Sequence, residues 1–232
     1  MQIADFRFDS QKLYLGKRCG LMIIRELDFP KVYQNENMIG YGGNQEWFSE
    51  DIQKKAGCGC TTGANLAAYY AGRYPEMAGI YDGDCKKFDQ SEYIRAMEEM
   101  YTYMKPGLIG YPYVKKFARQ FIRFCKEHGI EAEAVFCHGF HSADEGFRFV
   151  KESIDGGNPI ALLILFHRAH ALREDNWHWV TITGYAEDEN DPEAAEVILS
   201  NCGERQTVKA QQLFEVHHGN SIRMVSFRVK AC

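Results

Sequence analysis

Residues Ala56–Tyr70 read AGCGCTTGANLAAYY. A Gly-Cys-Gly-Cys turn runs straight into an alanine-rich segment, and Ala64, Ala67, Ala68 and Ala71 mark one small apolar face at helical spacing. The stretch predicts a helix over 58–72 with a cysteine at its mouth. That position carries chemical meaning. An ordinary thiol is mostly protonated at neutral pH, and the unpaired N–H groups and dipole of a helix N-terminus favour the thiolate. Gly57 and Gly59 flank Cys58 and permit a tight turn and the close approach of a substrate carbonyl to the main chain. The N–H of Cys58 is then a candidate oxyanion donor. Cys60 lies two residues on, inside the first turn, where its side chain points elsewhere. A small buried residue at a helix start would give the same pattern, so the reading of Cys58 as a nucleophile rests on partners elsewhere in the chain.

The composition sets the frame for those partners. The chain has 232 residues, 45% apolar and 25% charged, with a formal net charge of −5, which fits one soluble globular domain. Acidic and basic residues are mixed without a basic stripe, so nucleic acid is not an expected partner. The opening MQIADFRFDSQKLYLGKRCG lacks the charged and apolar regions of a secretory signal. The longest apolar run, PIALLILF (159–166), fits a buried strand rather than a membrane span. A cytoplasmic location with no membrane partner is the expectation. The eight cysteines show no disulfide-framework spacing and read as free thiols, several of them core residues such as Cys125. No motif calls for a cofactor or a metal.

The first half reads as helical. Tyr93, Met97, Met100 and Met104 stripe a helix over about 89–104, stopped by Pro106–Gly107. Val114, Phe117, Ala118, Phe121 and Cys125 stripe another over about 113–128, with Gly129 as its terminal glycine. After a strand in EAEAVFCHGF (131–140), a fourth helix starts at Ser142, with Glu145 three residues on as in a capping box, and ends at Gly156–Gly157. Strands follow at 159–166, 178–187, 196–203 and 221–229, with a short helix near 208–215. Helices first and strands later predict an α+β fold. The organisation expected is a single domain over 1–232: a helical lobe over about 41–130, a mostly antiparallel sheet lobe over about 131–232, a cleft between them, and short strands and turns over 1–40.

Among eight histidines, His178 stands apart. It opens HWVTITGY and shares a strand face with Val180 and Ile182, so it points to a buried or cleft side. A core histidine bonded to backbone is the plainer alternative. Asn201 ends the next strand, EVILSN, after the polar AEDENDPEA (186–194), read as a connecting loop. In an antiparallel hairpin, paired residues share a constant index sum. For His178 and Asn201 it is 379, which centres the hairpin inside that loop and permits the two to be cross-strand neighbours. An amide oxygen there can hold the imidazole and its tautomer, the third role of a Cys-His-Asn arrangement.

These segments together resemble the papain-like cysteine peptidases, and most closely the branch of bacteriocin-processing, double-glycine leader peptidases. GCGCTTGANLAAYY (57–70) is similar to that branch's Gly-Cys-Gly-Pro-Thr signature, HWVTITGY (178–185) to its His-Trp-Val strand, ILSNCGE (198–204) to its Asn- or Asp-bearing strand, and GGNQEWF (42–48) to its upstream glutamine segment. The likeness spans roughly 41–205. It implies a thiol-peptidase fold acting on a peptide or protein substrate, with Cys58 as nucleophile, His178 as general base and acid, and Asn201 as orienter. It also implies a glutamine completing the oxyanion hole: Gln45 by context, with Gln53 as the rival by spacing. The chain departs from the signature at Cys60, where the branch has proline. Two other readings stand beside a thiol hydrolase or acyl transferase: a non-catalytic binding protein on a degenerate peptidase fold, and a zinc or redox protein using Cys58 and Cys60, although zinc sites prefer wider Cys spacing and four ligands.

Overall fold

Along the apolar run 160–166, Ile160, Leu162 and Ile164 enter one core while Ala161 and Leu163 enter another. A strand whose alternate side chains are both buried must sit inside a sheet covered on both faces, and that is its place. The computed structural model describes residues 12–15, 21–107 and 110–231. In chain order they form β1 (Lys12–Leu15), β2 (Leu21–Glu26), β3 (Lys31–Gln34), β4 (Asn37–Tyr41), α1 (Asp51–Ala56), α2 (Cys58–Arg73), β5 (Phe88–Asp89), α3 (Gln90–Tyr103), α4 (Val114–Glu127) and β6 (Ile130–Cys137). They continue with α5 (Ala143–Asp155), β7 (Ile160–Phe166), β8 (His178–Asp188), β9 (Asp191–Asn201), β10 (Glu204–Lys209), α6 (Ala210–Leu213) and β11 (Ser221–Ala231).

The architecture is α+β, built on an eight-stranded sheet whose strand pairs are all antiparallel. The long strand β8 organises it. One edge of β8 pairs first with β7, through 178–182, and then with β2, through 184–188. The other edge pairs with β9, which carries β10. Beyond β7 lie β11 and β6. A smaller sheet joins β4, β3 and β5, with β3 and β5 parallel. Its β3–β4 turn places Asn35 and Glu36 at φ 49° and 72°, the backbone of a two-residue hairpin turn. Within the N-terminal region expected to hold short strands and turns, residues 1–11 and 16–20 lie outside the described residues, as do Cys19 and Cys232.

The helices divide between the faces. The first core holds α2, α3 and α4 against Ala161, Leu163, Trp179, Val225 and Phe227. The second holds α5 and α6 against Ile160, Leu162, Val180, Ile182 and Met224. The expected helical stripes are buried: Tyr93, Met97 and Met100 in α3, with Met104 just past it, and Val114, Phe117, Ala118, Phe121 and Cys125 in α4. Gly129 follows α4 at φ 73°, the left-handed cap expected there. Ser142 Oγ accepts from the Glu145 N–H at the start of α5, while Glu145 returns its carboxylate to the N–H of His141 rather than of Ser142.

Two expectations need correction. The helix α2 is buried on every side from Cys58 to Ala71, not along one alanine face. It lies between α3 and the sheet, where small residues let neighbours close in from all directions. Residues 186–194 are not a loop: β8 and β9 run on to a two-residue turn at Glu189–Asn190, and Pro192 sits at the exposed start of β9. Strand β10 and helix α1 were unforeseen.

Candidate active site

Cys58 is the first residue of α2, and Gly57 is its N-cap. The backbone at Gly57 is ordinary, φ −84° and ψ 2°, so the glycine is required by packing instead of by an unusual turn. A Cβ there would lie 2.4 Å from the Gln53 carbonyl and 2.6 Å from Phe48. Gly59 is under no such constraint, since a Cβ would meet Trp179 and Tyr111 at 3.5 Å, an ordinary contact.

Cys58 is buried, 8% exposed as a residue, and its thiol lies within electrostatic reach of the His178 ring and of the backbone N–H groups of Trp179 and Gly59. Burial alone would raise its pKa. The ring and the two N–H groups outweigh burial and bring the thiol below its usual value. For His178, burial works against the charged ring, but the Cys202 and Cys58 sulfurs more than offset it and hold the imidazole well above its usual pKa. The two shifts together favour a thiolate–imidazolium pair.

His178 Nε2 lies 3.0 Å from Asn201 Oδ1. The contact arises from a register other than the simple hairpin. Asp188 and Asp191 close the turn on the expected index sum, but bulges at Ile182/Gly184 and Ala186/Asp188 shift the pairing to Thr181–Ser200. Continuing that register puts Asn201 beside Val180, so His178 is its diagonal neighbour on the same face. A net shift of two residues conserves the face; a shift of one would have reversed it.

The Asn201 amide is itself held. Its Nδ2 donates to Asp175 Oδ1 at 2.9 Å and to Gln206 Oε1 at 3.1 Å. This fixes Oδ1 toward the ring. Nε2 then carries the imidazole proton, and Nδ1 is the nitrogen free to exchange a proton with the thiol.

Gln45 opens a 3-10 turn, Gln45–Trp47, whose N-cap Asn44 accepts from the Glu46 N–H. The preceding segment is clamped on two sides. The Gly43 N–H donates to Asn65 Oδ1 in α2 at 2.8 Å, the Tyr41 N–H donates to the Gly203 carbonyl at 2.7 Å, and Ser200 Oγ donates to the Tyr41 carbonyl at 2.6 Å. Gln45 is thus carried on a segment bound both to α2 and to the chain around Asn201. Gln53 sits in α1, its carbonyl accepting from the Gly57 N–H at 2.7 Å. Each glutamine has a buried Oε1 without a hydrogen-bond partner, so the rivalry between them stands.

Two thiols need separate accounts. Cys60 is buried at 1% exposure, its Sγ donates to the Met104 carbonyl at 3.4 Å, and burial pushes its pKa up. It belongs to the α2–α3 packing. Replacing it (Cys60→Ala) is expected to leave the pH profile of Cys58 alkylation unchanged and to cost about 1–2 kcal/mol of stability, read by peptide mapping and denaturant unfolding. Cys202 was not anticipated. It is exposed, at φ 47°, with its Sγ 3.6 Å from His178 Nε2. The signal was present in Asn201-Cys202-Gly203-Glu204, since Gly203 follows at φ 78° and Glu204 pairs with Asn201, giving a two-residue hairpin turn into β10. Among the described residues, no group of three or more His, Cys, Asp or Glu is placed to hold a metal ion, and no helix is long and apolar enough to cross a membrane.

The arrangement supplies a thiol whose pKa is lowered, a ring able to take and return a proton, and a fixed amide behind that ring. No family model matches the chain, and no curated protein matches it. Among solved structures it is similar to the Pseudomonas avirulence protein AvrPphB, at 14% identity and a TM-score of 0.39 over 79% of this chain and 96% of that one.

Proposed function

We propose that the chain is a papain-like thiol hydrolase that cleaves a peptide or amide bond of a peptide or protein substrate through Cys58, His178 and Asn201. The observation that carries the reading is the His178 ring held 3.0 Å from Asn201 Oδ1 on one side and coupled to the Cys58 thiol on the other, with the thiol pKa lowered and the ring pKa raised. The Cys58 thiolate attacks the carbonyl carbon, and the developing oxyanion is met by the Cys58 N–H and the side-chain amide of Gln45. His178 gives its proton to the leaving amine. It then takes one from water as that water attacks the thioester, releasing the acid and restoring the thiolate. An amine in place of the water would give acyl transfer by the same machinery. No step needs a metal or cofactor, and the free thiols suit a reducing, cytoplasmic setting.

The finer placement beside the double-glycine leader peptidases rests on the Gly-Cys-Gly, His-Trp-Val and Ser-Asn segments. The test is a peptide library, including peptides with a Gly-Gly site, incubated with the protein and followed by mass spectrometry. The expected result is a cleaved product, with a transient acyl adduct mapping to Cys58. Gln45→Ala should then slow turnover by about a hundredfold or more, and Gln53→Ala by far less. A larger loss in Gln53→Ala would exchange their roles. An absence of any adduct at Cys58 across the library would overturn the hydrolase reading.

A further inference from the structure

The side chain of Asn201 leads to a further residue. A neutral amide is ambiguous as an orienter, because turned over it presents an NH2 to the imidazole instead of an oxygen. In that state it would compete with the ring's own N–H rather than accept from it. The surroundings of Asn201 remove the ambiguity. Nδ2 donates to Asp175 Oδ1 at 2.9 Å and to Gln206 Oε1 at 3.1 Å, and Gln206 Nε2 in turn donates to Glu204 Oε2 at 3.1 Å. A carboxylate only accepts, so Asp175 admits one orientation of the Asn201 amide, and Glu204 does the same for Gln206. We propose that Asp175 is a positioning residue, locking the Asn201 amide so that Oδ1 faces His178. The inference rests on the hydrolase reading above and extends the line from sulfur to ring to amide by one carboxylate.

The loop that delivers Asp175 is built to hold it. Residues 167–177 link β7 to β8, and the loop is tied by the Trp177 N–H to the Leu165 carbonyl at 3.3 Å, the His167 N–H to Asn176 Oδ1 at 2.7 Å, the Arg168 N–H to Asn220 Oδ1 at 3.0 Å and the Asp175 N–H to the Leu172 carbonyl at 3.2 Å. Trp177 turns the chain into β8 at φ 62°, a conformation that costs a bulky residue about 1–3 kcal/mol and persists only where the surroundings impose it. The strained residue lies between Asp175 and His178, so one turn sets both ends of the relay. Charge-assisted hydrogen bonds are about twice as strong as neutral ones, and the carboxylate also makes the amide oxygen a better acceptor for an imidazolium N–H.

The ionisable groups around the ring are the Cys58 and Cys202 thiols, with the Asp175 and Glu204 carboxylates behind the amides. The test follows Cys58 alkylation by iodoacetamide against pH in wild type, Asp175→Ala and Asp175→Asn, with thermal melting alongside. Asp175→Ala should slow alkylation at pH 6 about three- to tenfold and move the acid limb to higher pH, because a mispositioned amide no longer supports the imidazolium that holds the thiolate. Asp175→Asn keeps an acceptor of the same size but admits the reversed amide, so it should give a smaller shift in the same direction. A merely structural role would lower the melting temperature without moving the limb. Superimposable profiles in all three proteins would overturn the proposal even if peptide cleavage is found. Ordinary thiol behaviour of Cys58 in the wild type would remove the hydrolase reading and this inference together. If Asp175→Ala does not fold, Asp175→Asn decides the matter by the same profile.

Discussion

Replacing His178 with alanine is expected to slow alkylation of Cys58 at pH 6 by about ten- to a hundredfold. An ordinary thiol, with a pKa near 8.5, is only about 0.3% thiolate at that pH. In the folded protein the ring and the N–H groups of Trp179 and Gly59 hold the Cys58 pKa down against burial. Removing the ring leaves burial opposed by the N–H groups alone, so the thiolate fraction collapses. The rate falls by less than that fraction, because a low-pKa thiolate is intrinsically less nucleophilic. The directions of the two shifts also set the shape of the profiles. The thiol is depressed, so thiolate is lost only as pH falls through its folded pKa; the ring is raised, so imidazolium is lost only as pH rises through its own. Alkylation needs thiolate alone and should show one acid limb. Hydrolysis also needs the ring proton for the leaving amine and should show a second, alkaline limb. Peptide mapping supplies internal controls in the same sample: Cys85, Cys125 and Cys137, whose pKa values burial raises, should react slowly in both proteins. Equal Cys58 rates in wild type and His178→Ala would sink the ion-pair account.

Much of this geometry was legible because it depends on periodicity. The helix start at Cys58, the stripes of α3 and α4, and the shared face of His178 and Val180 all follow from spacings of 3.6 and 2. The meeting of His178 with Asn201 was legible only as to face. The index-sum argument treats a hairpin as regular, and β8–β9 holds two bulges that move the pairing. The contact survives because the net shift is even. Polar composition misled over 186–194, where the tip of the β8–β9 hairpin extends into solvent: residues 189–193 are exposed, and exposed strand positions carry charge as readily as loops do. What periodicity cannot carry was missed. Asp175 reaches Asn201 across 26 residues through an irregular loop, and Cys202 reaches His178 through left-handed turn backbone. The choice between Gln45 and Gln53 is of the same kind, since Gln45 opens a short 3-10 turn and Gln53 sits in a six-residue helix, and neither element was legible from periodicity.

Asn65→Ala is expected to destabilise the protein by about 3–5 kcal/mol, a fall of about 10 °C in melting temperature for a chain of this size. Asn65 is 2% exposed in the middle of α2. Its Oδ1 accepts from the Gly43 N–H at 2.8 Å and from Tyr93 Oη at 2.7 Å, and its Nδ2 donates to Thr181 Oγ1 at 3.2 Å. One side chain therefore satisfies groups from the segment before Gln45, from α3 and from β8. Truncation leaves all three partners buried in the first core with no competing solvent, at about 1–3 kcal/mol for each group left unpaired. Thr181 can rotate its hydroxyl to another acceptor, which places the total below three full penalties. Asn65→Leu restores volume but no hydrogen bond, so it should recover little of the loss; near-complete recovery would show that the cavity, not the polar node, sets the cost. The same node ties stability to the site. With Asn65 gone, the Gly42–Gly43 segment loses its bond to α2 and keeps the Ser200 and Gly203 contacts to the Tyr41 backbone. Cys58 and His178 are not among the partners of Asn65, so the thiol–ring pairing is left in place. At a temperature where Asn65→Ala remains folded, alkylation of Cys58 should be near wild type while peptide turnover falls, if the Gln45 amide serves the oxyanion as proposed. Loss of both in parallel would mean that α2 itself has moved, and loss of neither would detach Gln45 from catalysis.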